Sequence, residues 1–111
     1  MRYLAIDLDG TLRIPAAIDP VAVELPEGAT RVPLATLSGD AVPMVTAWVS
    51  QDEQPLNAIG KAVLVALGAA EQDYHGVVLF TGWDPVGEQM AAINSERAWI
   101  IQTAHADAQA A

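Results

Sequence analysis

Asp7 and Asp9, one residue apart at the end of an apolar run, are the side chains best spaced for chemistry. The run reads Tyr3-Leu4-Ala5-Ile6-Asp7-Leu8-Asp9-Gly10-Thr11-Leu12. Alternate residues of an extended backbone project to the same side, so the two carboxylates share one side of a strand end. One could attack an electrophile while the other manages the proton. Gly10 allows a sharp turn and Thr11 offers a hydroxyl. A second apolar run, Val77-Val78-Leu79-Phe80-Thr81-Gly82, also ends in a hydroxyl.

The first run resembles the opening motif of the haloacid-dehalogenase phosphatases, and the second run resembles their second motif. The resemblance implies Asp7 as nucleophile, Asp9 as general acid, Thr81 in the same catalytic set and a magnesium site beside them. The rest of that pattern is missing. The phosphatases place a lysine after the second motif, but Lys61, the only lysine, precedes Thr81. They also need a distal acidic pair, and Asp84, Glu88, Glu96 and Asp107 are not adjacent. Residues 83–111 are too few for further strand–helix units of about 30 residues each. Asp-Gly between apolar runs is also a strong hairpin signal. The preferred expectation is a hairpin joining strand Arg2–Asp7 to strand Thr11–Ile14, in a protein that is not an enzyme.

The other candidates are binding residues. Thr81-Gly82-Trp83-Asp84-Pro85 joins a hydroxyl, an aromatic ring and a carboxylate at a strand end, where ligands often sit. Trp83, Asp84 and Tyr74 would line a small-molecule pocket. Trp48 and Met44 share one face of a strand, and both residue types are enriched at interfaces. His75 is expected to be structural and His105 solvated in a weak tail. No His, Asp and Glu spacing matches a metal template, no glycine spacing matches a phosphate loop, and no cofactor is expected.

These residues need a scaffold. Strands are expected over residues 2–8, 11–15, 31–37 and 43–50, with prolines 15, 20, 26, 33 and 43 punctuating a strand-like region. In Met44–Ser50, Val45, Ala47 and Val49 share one face and Met44, Thr46, Trp48 and Ser50 the other. A helix capped by Asn57 is expected to run to about Glu71, buried on all faces because it is apolar almost all round. Gly76–Gly82 lacks alternation and reads as a central strand covered on both sides. A turn at Trp83–Gly87, a return strand at 88–93 and a helix over 96–107 complete the chain. That helix is capped by Asn94 or Ser95, its apolar face includes Trp99, Ile100 and Thr103, and residues 106–111 are expected to fray. The fold class is α+β, one small domain, a mainly antiparallel sheet with two helices.

Composition limits the function classes. The 111 residues suit a single domain and include no cysteine, which excludes disulfides and thiol chemistry. No signal peptide or membrane span is apparent, so a cytoplasmic protein is expected. The net charge of −9 reflects only five basic residues, which form no patch, so nucleic acid is not an expected partner. The fourteen acids are spread along the chain rather than arrayed in a helix-spaced stripe, which disfavours DNA mimicry. A mean hydropathy of +0.27 is high for so acidic a chain and points to self-association, a homodimer, or to a partner surface.

Residues 54–88 also resemble a small domain family of unknown function associated with actinobacteria, their phages and their plasmids. The residues that carry it are Pro55-Leu56-Asn57, Ala62 through Gly68, His75 through Gly82, and Gly87-Glu88. The Ile6-Asp7-Leu8-Asp9-Gly10 hairpin also suits that family. Residues 15–42 depart from it, because the resemblance implies a helix and a glycine-rich turn there. It implies a mobile-element accessory protein that binds a host protein, or alternatively a small signalling molecule such as a nucleotide.

Overall fold

In a computed structural model the described residues are 1–34, 44–51 and 53–110. They form six strands and three helices. The strands are β1 (Leu4–Ile6), β2 (Leu12–Arg13), β3 (Ala29–Pro33), β4 (Met44–Ser50), β5 (Val78–Asp84) and β6 (Gln89–Ala91). The helices are α1 (Pro20–Glu24), α2 (Ala58–Ala66) and α3 (Ser95–Ala110). Every pairing is antiparallel, in the order β2-β1-β5-β4-β3, with β6 also on β5. The α+β class is therefore as read from the sequence.

The Asp-Gly hairpin forms, with three residues in its loop. The Gly10 amide donates to the Asp7 carbonyl (2.9 Å), the Asp7 amide donates to the Thr11 carbonyl (2.9 Å), and Gly10 sits at φ 89°. This is a type I turn closed by a left-handed residue, a position glycine fills without strain. The ladder continues past both strands through Tyr3 N–H to Pro15 C=O (3.1 Å) and Ala17 N–H to Met1 C=O (3.0 Å).

β5 is the central strand. Val78 and Phe80 enter the main core with Leu4, Ile6, Val45, Ala47, Val49, Val63, Leu64 and Ile101. Leu79 enters a smaller cluster on the opposite face with Tyr3, Ala5 and Leu25. This double coverage explains the unbroken apolar run. α2 and α3 pack on each other over the main core, while α1 lies against β5. Pro33 stands at the end of β3, an edge strand, where a missing amide is tolerated.

Several expectations are corrected. Residues 20–24 form a third helix in the region read as strand-like. Asp19 accepts from the Ala22 amide (3.2 Å) and Pro20 takes the first helical position. α2 ends at Ala66 rather than near Glu71. Gly68 adopts φ 96°, the Ala69 amide reaches the Leu64 carbonyl (2.9 Å) and the Gly68 amide reaches the Val65 carbonyl (3.1 Å), the double closure of a Schellman stop. Nor is α2 buried all round. Ala58, Ala62 and Ala66 are exposed, since alanine raises hydropathy without requiring burial. β5 continues through Asp84, so the turn begins at Pro85. α3 continues to Ala110, covering the stretch expected to fray except for residue 111, which lies outside the described residues. Its inward residues are Ala98, Ile101 and His105, while Trp99 is 65% exposed. Of the expected strands, residues 35–37 and 43 lie outside the described residues.

Candidate functional site

The carboxylates at the first motif are engaged in an ion-pair network. The Arg13 guanidinium donates to both Asp7 oxygens (Nε–Oδ2 2.7 Å, Nη2–Oδ1 2.8 Å). It also donates to both oxygens of Glu24 (Nη1–Oε2 and Nη2–Oε1, each 3.0 Å). The Tyr3 hydroxyl donates to Glu24 Oε2 at 2.7 Å. The planar fork of arginine suits two such bidentate contacts. Burial alone would raise Glu24, but the hydrogen bonds from Arg13 and Tyr3 outweigh it and hold the carboxyl below its ordinary value. Burial first, and the bond to Glu24 second, push the Tyr3 phenol up to about 12. The two carboxylates push the Arg13 guanidinium further up. Asp9 lies in the turn, where Oδ1 accepts the Thr11 amide at 2.9 Å, and that bond lowers its pKa.

Thr81 is not beside these groups. β1 and β5 run antiparallel, with Leu4 opposite Phe80 and Ile6 opposite Val78. Asp7 therefore falls level with Val77, and Thr81 stands four residues along β5, about 13 Å away at strand spacing. Thr81 is fully buried, and its hydroxyl accepts from Trp48 Nε1 (2.9 Å) and donates to the Gly82 carbonyl (3.0 Å). The candidate set Asp7, Asp9 and Thr81 is not assembled.

Thr81 belongs instead to an aromatic cluster on the sheet face opposite α2 and α3. Trp48 and Trp83 meet edge to face, with centroids 6.0 Å apart and planes at 62°. The Arg31 guanidinium lies 4.7 Å from the Trp83 ring centroid, a cation–π distance. Arg31 also donates to Thr46 Oγ1 (3.4 Å), which donates to the Val32 carbonyl (3.3 Å). Met44 is the register partner of Trp83. Trp48, Trp83 and Met44 are half-buried and Arg31 is exposed. The sequence brought forward Met44, Trp48, Thr81 and Trp83, which the structure gathers.

It does not gather the proposed Trp83, Asp84 and Tyr74 pocket. Tyr74 lies in the main core on the helix side of the sheet, its hydroxyl donating to the Ala70 carbonyl at 2.6 Å, and burial raises its pKa. Asp84 Oδ1 accepts the Val86 amide (3.0 Å) and shapes the β5–β6 turn. Tyr74 instead borders an open groove of about 650 Å³ with Thr30, Arg31, Pro33, Gly68 and Gln72.

His75 is exposed, with Nδ1 2.9 Å from the Gln54 carbonyl. The expectation of a solvated His105 is overturned. His105 is 8% exposed, and Nε2 lies 2.7 Å from the Gly10 carbonyl, to which Gln109 Nε2 also donates (3.0 Å). Asp-Gly turns leave a carbonyl pointing outward, and α3 closes over it. Among the described residues no group of three or more His, Cys, Asp or Glu side chains could hold a metal ion. No helix among them is long and apolar enough to cross a membrane.

Sequence reasoning missed Tyr3, Arg13, Glu24 and Arg31. Arg13 was within reach, because the hairpin read from Asp9-Gly10 places it diagonally across from Asp7. Glu24 and Arg31 carry no local signal, since their partners come from tertiary packing. No family model matches the chain, and no curated protein and no solved structure matches it either.

Proposed function

We propose that the chain acts without catalysis, as an accessory protein that binds another protein through the Trp48–Trp83–Arg31 face. The observation that supports this reading most is the cluster itself. Two tryptophans and an arginine, the residue types that most often anchor interfaces, stand half-buried or exposed on the sheet face that α2 and α3 leave uncovered. Their internal partners hold the rings in fixed orientations, which lowers the entropy lost on binding. A net charge of −9 favours a partner with a basic rim, which would be drawn in electrostatically. The resemblance of residues 54–88 supports a mobile-element setting, with a host protein as the partner.

The test is affinity capture from a host lysate by the wild-type chain and by Trp83→Ala in parallel, followed by titration of any purified partner. The expected result is a partner whose affinity falls about 30-fold or more in Trp83→Ala, about 2 kcal/mol, and weakens as salt rises. A partner held equally by both proteins would mean that this face is not the interface.

A small ligand is the second reading, favoured by the groove between β3 and the Gly68–Tyr74 segment. Thr30 and Gln72 supply its polar groups and Tyr74 its aromatic wall. That reading predicts a ligand-dependent thermal shift that Gln72→Ala abolishes.

A further inference from the structure

The two ends of the main sheet path are treated differently. At β3, the Gln51 amide donates to the Gly28 carbonyl at 3.3 Å, which fixes the alternation of the ladder. Ala29, Arg31 and Pro33 then direct their main-chain groups away from β4. That edge is guarded. Pro33 has no amide to offer at its outward position, and Gln51 Nε2 covers the Ala29 carbonyl at 3.2 Å.

At β2 the alternation runs the other way with respect to proline. Asp7 bonds Thr11, Tyr3 bonds Pro15 and Met1 bonds Ala17, so odd-numbered residues face β1. Pro15 therefore turns its missing amide inward, where Tyr3 needs only its carbonyl. Leu12, Ile14 and Ala16 turn their amides and carbonyls outward, and among the described residues no hydrogen bond reaches those groups. Arg13, the charged residue of β2, is folded back onto Asp7 and Glu24. Ile14 is 42% exposed and Ile18, just beyond, is 96% exposed. The result is an apolar edge about 13 Å long whose main-chain groups meet no partner among the described residues.

We propose that this edge pairs with the same edge of a second copy, antiparallel about a twofold axis at Ile14. The outward residues are symmetric about that position. Leu12 would meet the partner's Ala16, Ile14 the partner's Ile14, and Ala16 the partner's Leu12. Each is a hydrogen-bonded pair, giving about six main-chain bonds across the seam. The intervening residues set Arg13 opposite the partner's Pro15, so no like charges are directly apposed, although each copy carries −9. An isologous contact of this kind closes on itself and forms a dimer rather than a filament. It uses the opposite end of the sheet path from Arg31, so it is independent of the partner face proposed above.

Sedimentation equilibrium of the wild-type chain, of Ile14→Lys and of Ala16→Pro, with circular dichroism to confirm folding, tests this. Lysine at position 14 changes only an exposed side chain, and proline at 16 deletes one outward amide and no bond to β1. The expected result is a wild-type mass of twice 11.7 kDa, with the dissociation constant raised about tenfold or more in both variants. Amide exchange at Leu12, Ile14 and Ala16 should slow as wild-type concentration rises. A wild-type monomer at the highest soluble concentration would overturn the proposal. So would a dimer that folded Ile14→Lys leaves intact, or concentration-independent exchange at those three amides.

Discussion

His105 Nε2 lies 2.7 Å from the carbonyl of Gly10, ninety-five residues away in sequence. A carbonyl only accepts, so Nε2 carries the proton in this contact. Gln109 donates to the same oxygen, and the pair ties the last turns of α3 to the N-terminal hairpin. His105→Ala should lower stability by about 1–3 kcal/mol, the cost of a buried group losing its partner together with lost packing. Gln109→Ala should cost less, because the contact is longer and only partly buried. The double variant should lose more than the sum, since the Gly10 carbonyl then keeps neither donor. Urea titration of the three variants measures this.

Asn57 is fully buried with both side-chain N–H groups and its side-chain oxygen engaged. Oδ1 accepts the Gly60 amide (2.8 Å), and Nδ2 donates to the carbonyls of Ile6 (3.0 Å) and Gly76 (2.9 Å). It caps α2 and pins that helix to β1 at once. Asn57→Ala should cost about 3 kcal/mol or more, beyond the ~1 kcal/mol of an ordinary cap. Asn57→Asp should be no better. It keeps the cap acceptor but turns both donors into oxygen facing two carbonyls. Equal stability of Asn57→Asp and wild type by thermal melting would refute this account.

The Tyr3–Glu24–Arg13 network predicts losses of stability at both ends of the pH scale. Glu24 has a lowered pKa when folded, so its contribution is complete above the ordinary glutamate value, about 4.3, and is lost as pH falls through the folded value. Tyr3 has a raised pKa, so its contribution is complete below about 10 and is lost as pH rises toward about 12. Glu24→Gln should flatten the acid limb. Tyr3→Phe should flatten the alkaline limb, and the tyrosinate absorbance arising near pH 12 should disappear with it. Stability measured across pH in wild type and both variants decides the matter.

Thr81→Val removes the acceptor of the Trp48 indole N–H and nearly preserves volume. It should cost about 1–3 kcal/mol and alter the fluorescence of the Trp48–Trp83 pair. Unchanged stability and spectrum would show that the 2.9 Å contact contributes nothing.

Local signals made much of the fold legible. Asp9-Gly10 gave the hairpin, Asn57 the start of α2, the alternation of Met44–Ser50 its two faces, and the unbroken run ending at Gly82 the central strand. Two signals were present but outweighed. Asp19-Pro20 is a helix start hidden among prolines read as strand punctuation, and Gly68 is a helix stop overlooked inside an apolar stretch. The misplacement of His105 has a different origin. α3 carries alanine on both faces, so its inward side cannot be read from periodicity and depends on the hairpin beneath it. The candidate site divides the same way. Strand parity put Met44 and Trp48 on one face, but their meeting with Thr81 and Trp83 depends on the β4–β5 register, and Arg31 and the Tyr3–Glu24–Arg13 network likewise depend on contacts between separate elements.

The strand order β2-β1-β5-β4-β3 has a consequence for synthesis. The ribosome delivers the two flanking hairpins, β1–β2 and β3–β4, before the strand that lies between them. Each can close locally within microseconds, yet neither can join the other until residue 84 has emerged. Until then the nascent chain holds two half-sheets whose future inner edges are bare, the exposure that invites wrong pairing. Arrival of β5 supplies both missing edges together, so the sheet is completed late and by sequence-distant contacts, the slow kind. Truncation before Val78 should therefore yield a chain that aggregates rather than a smaller folded domain.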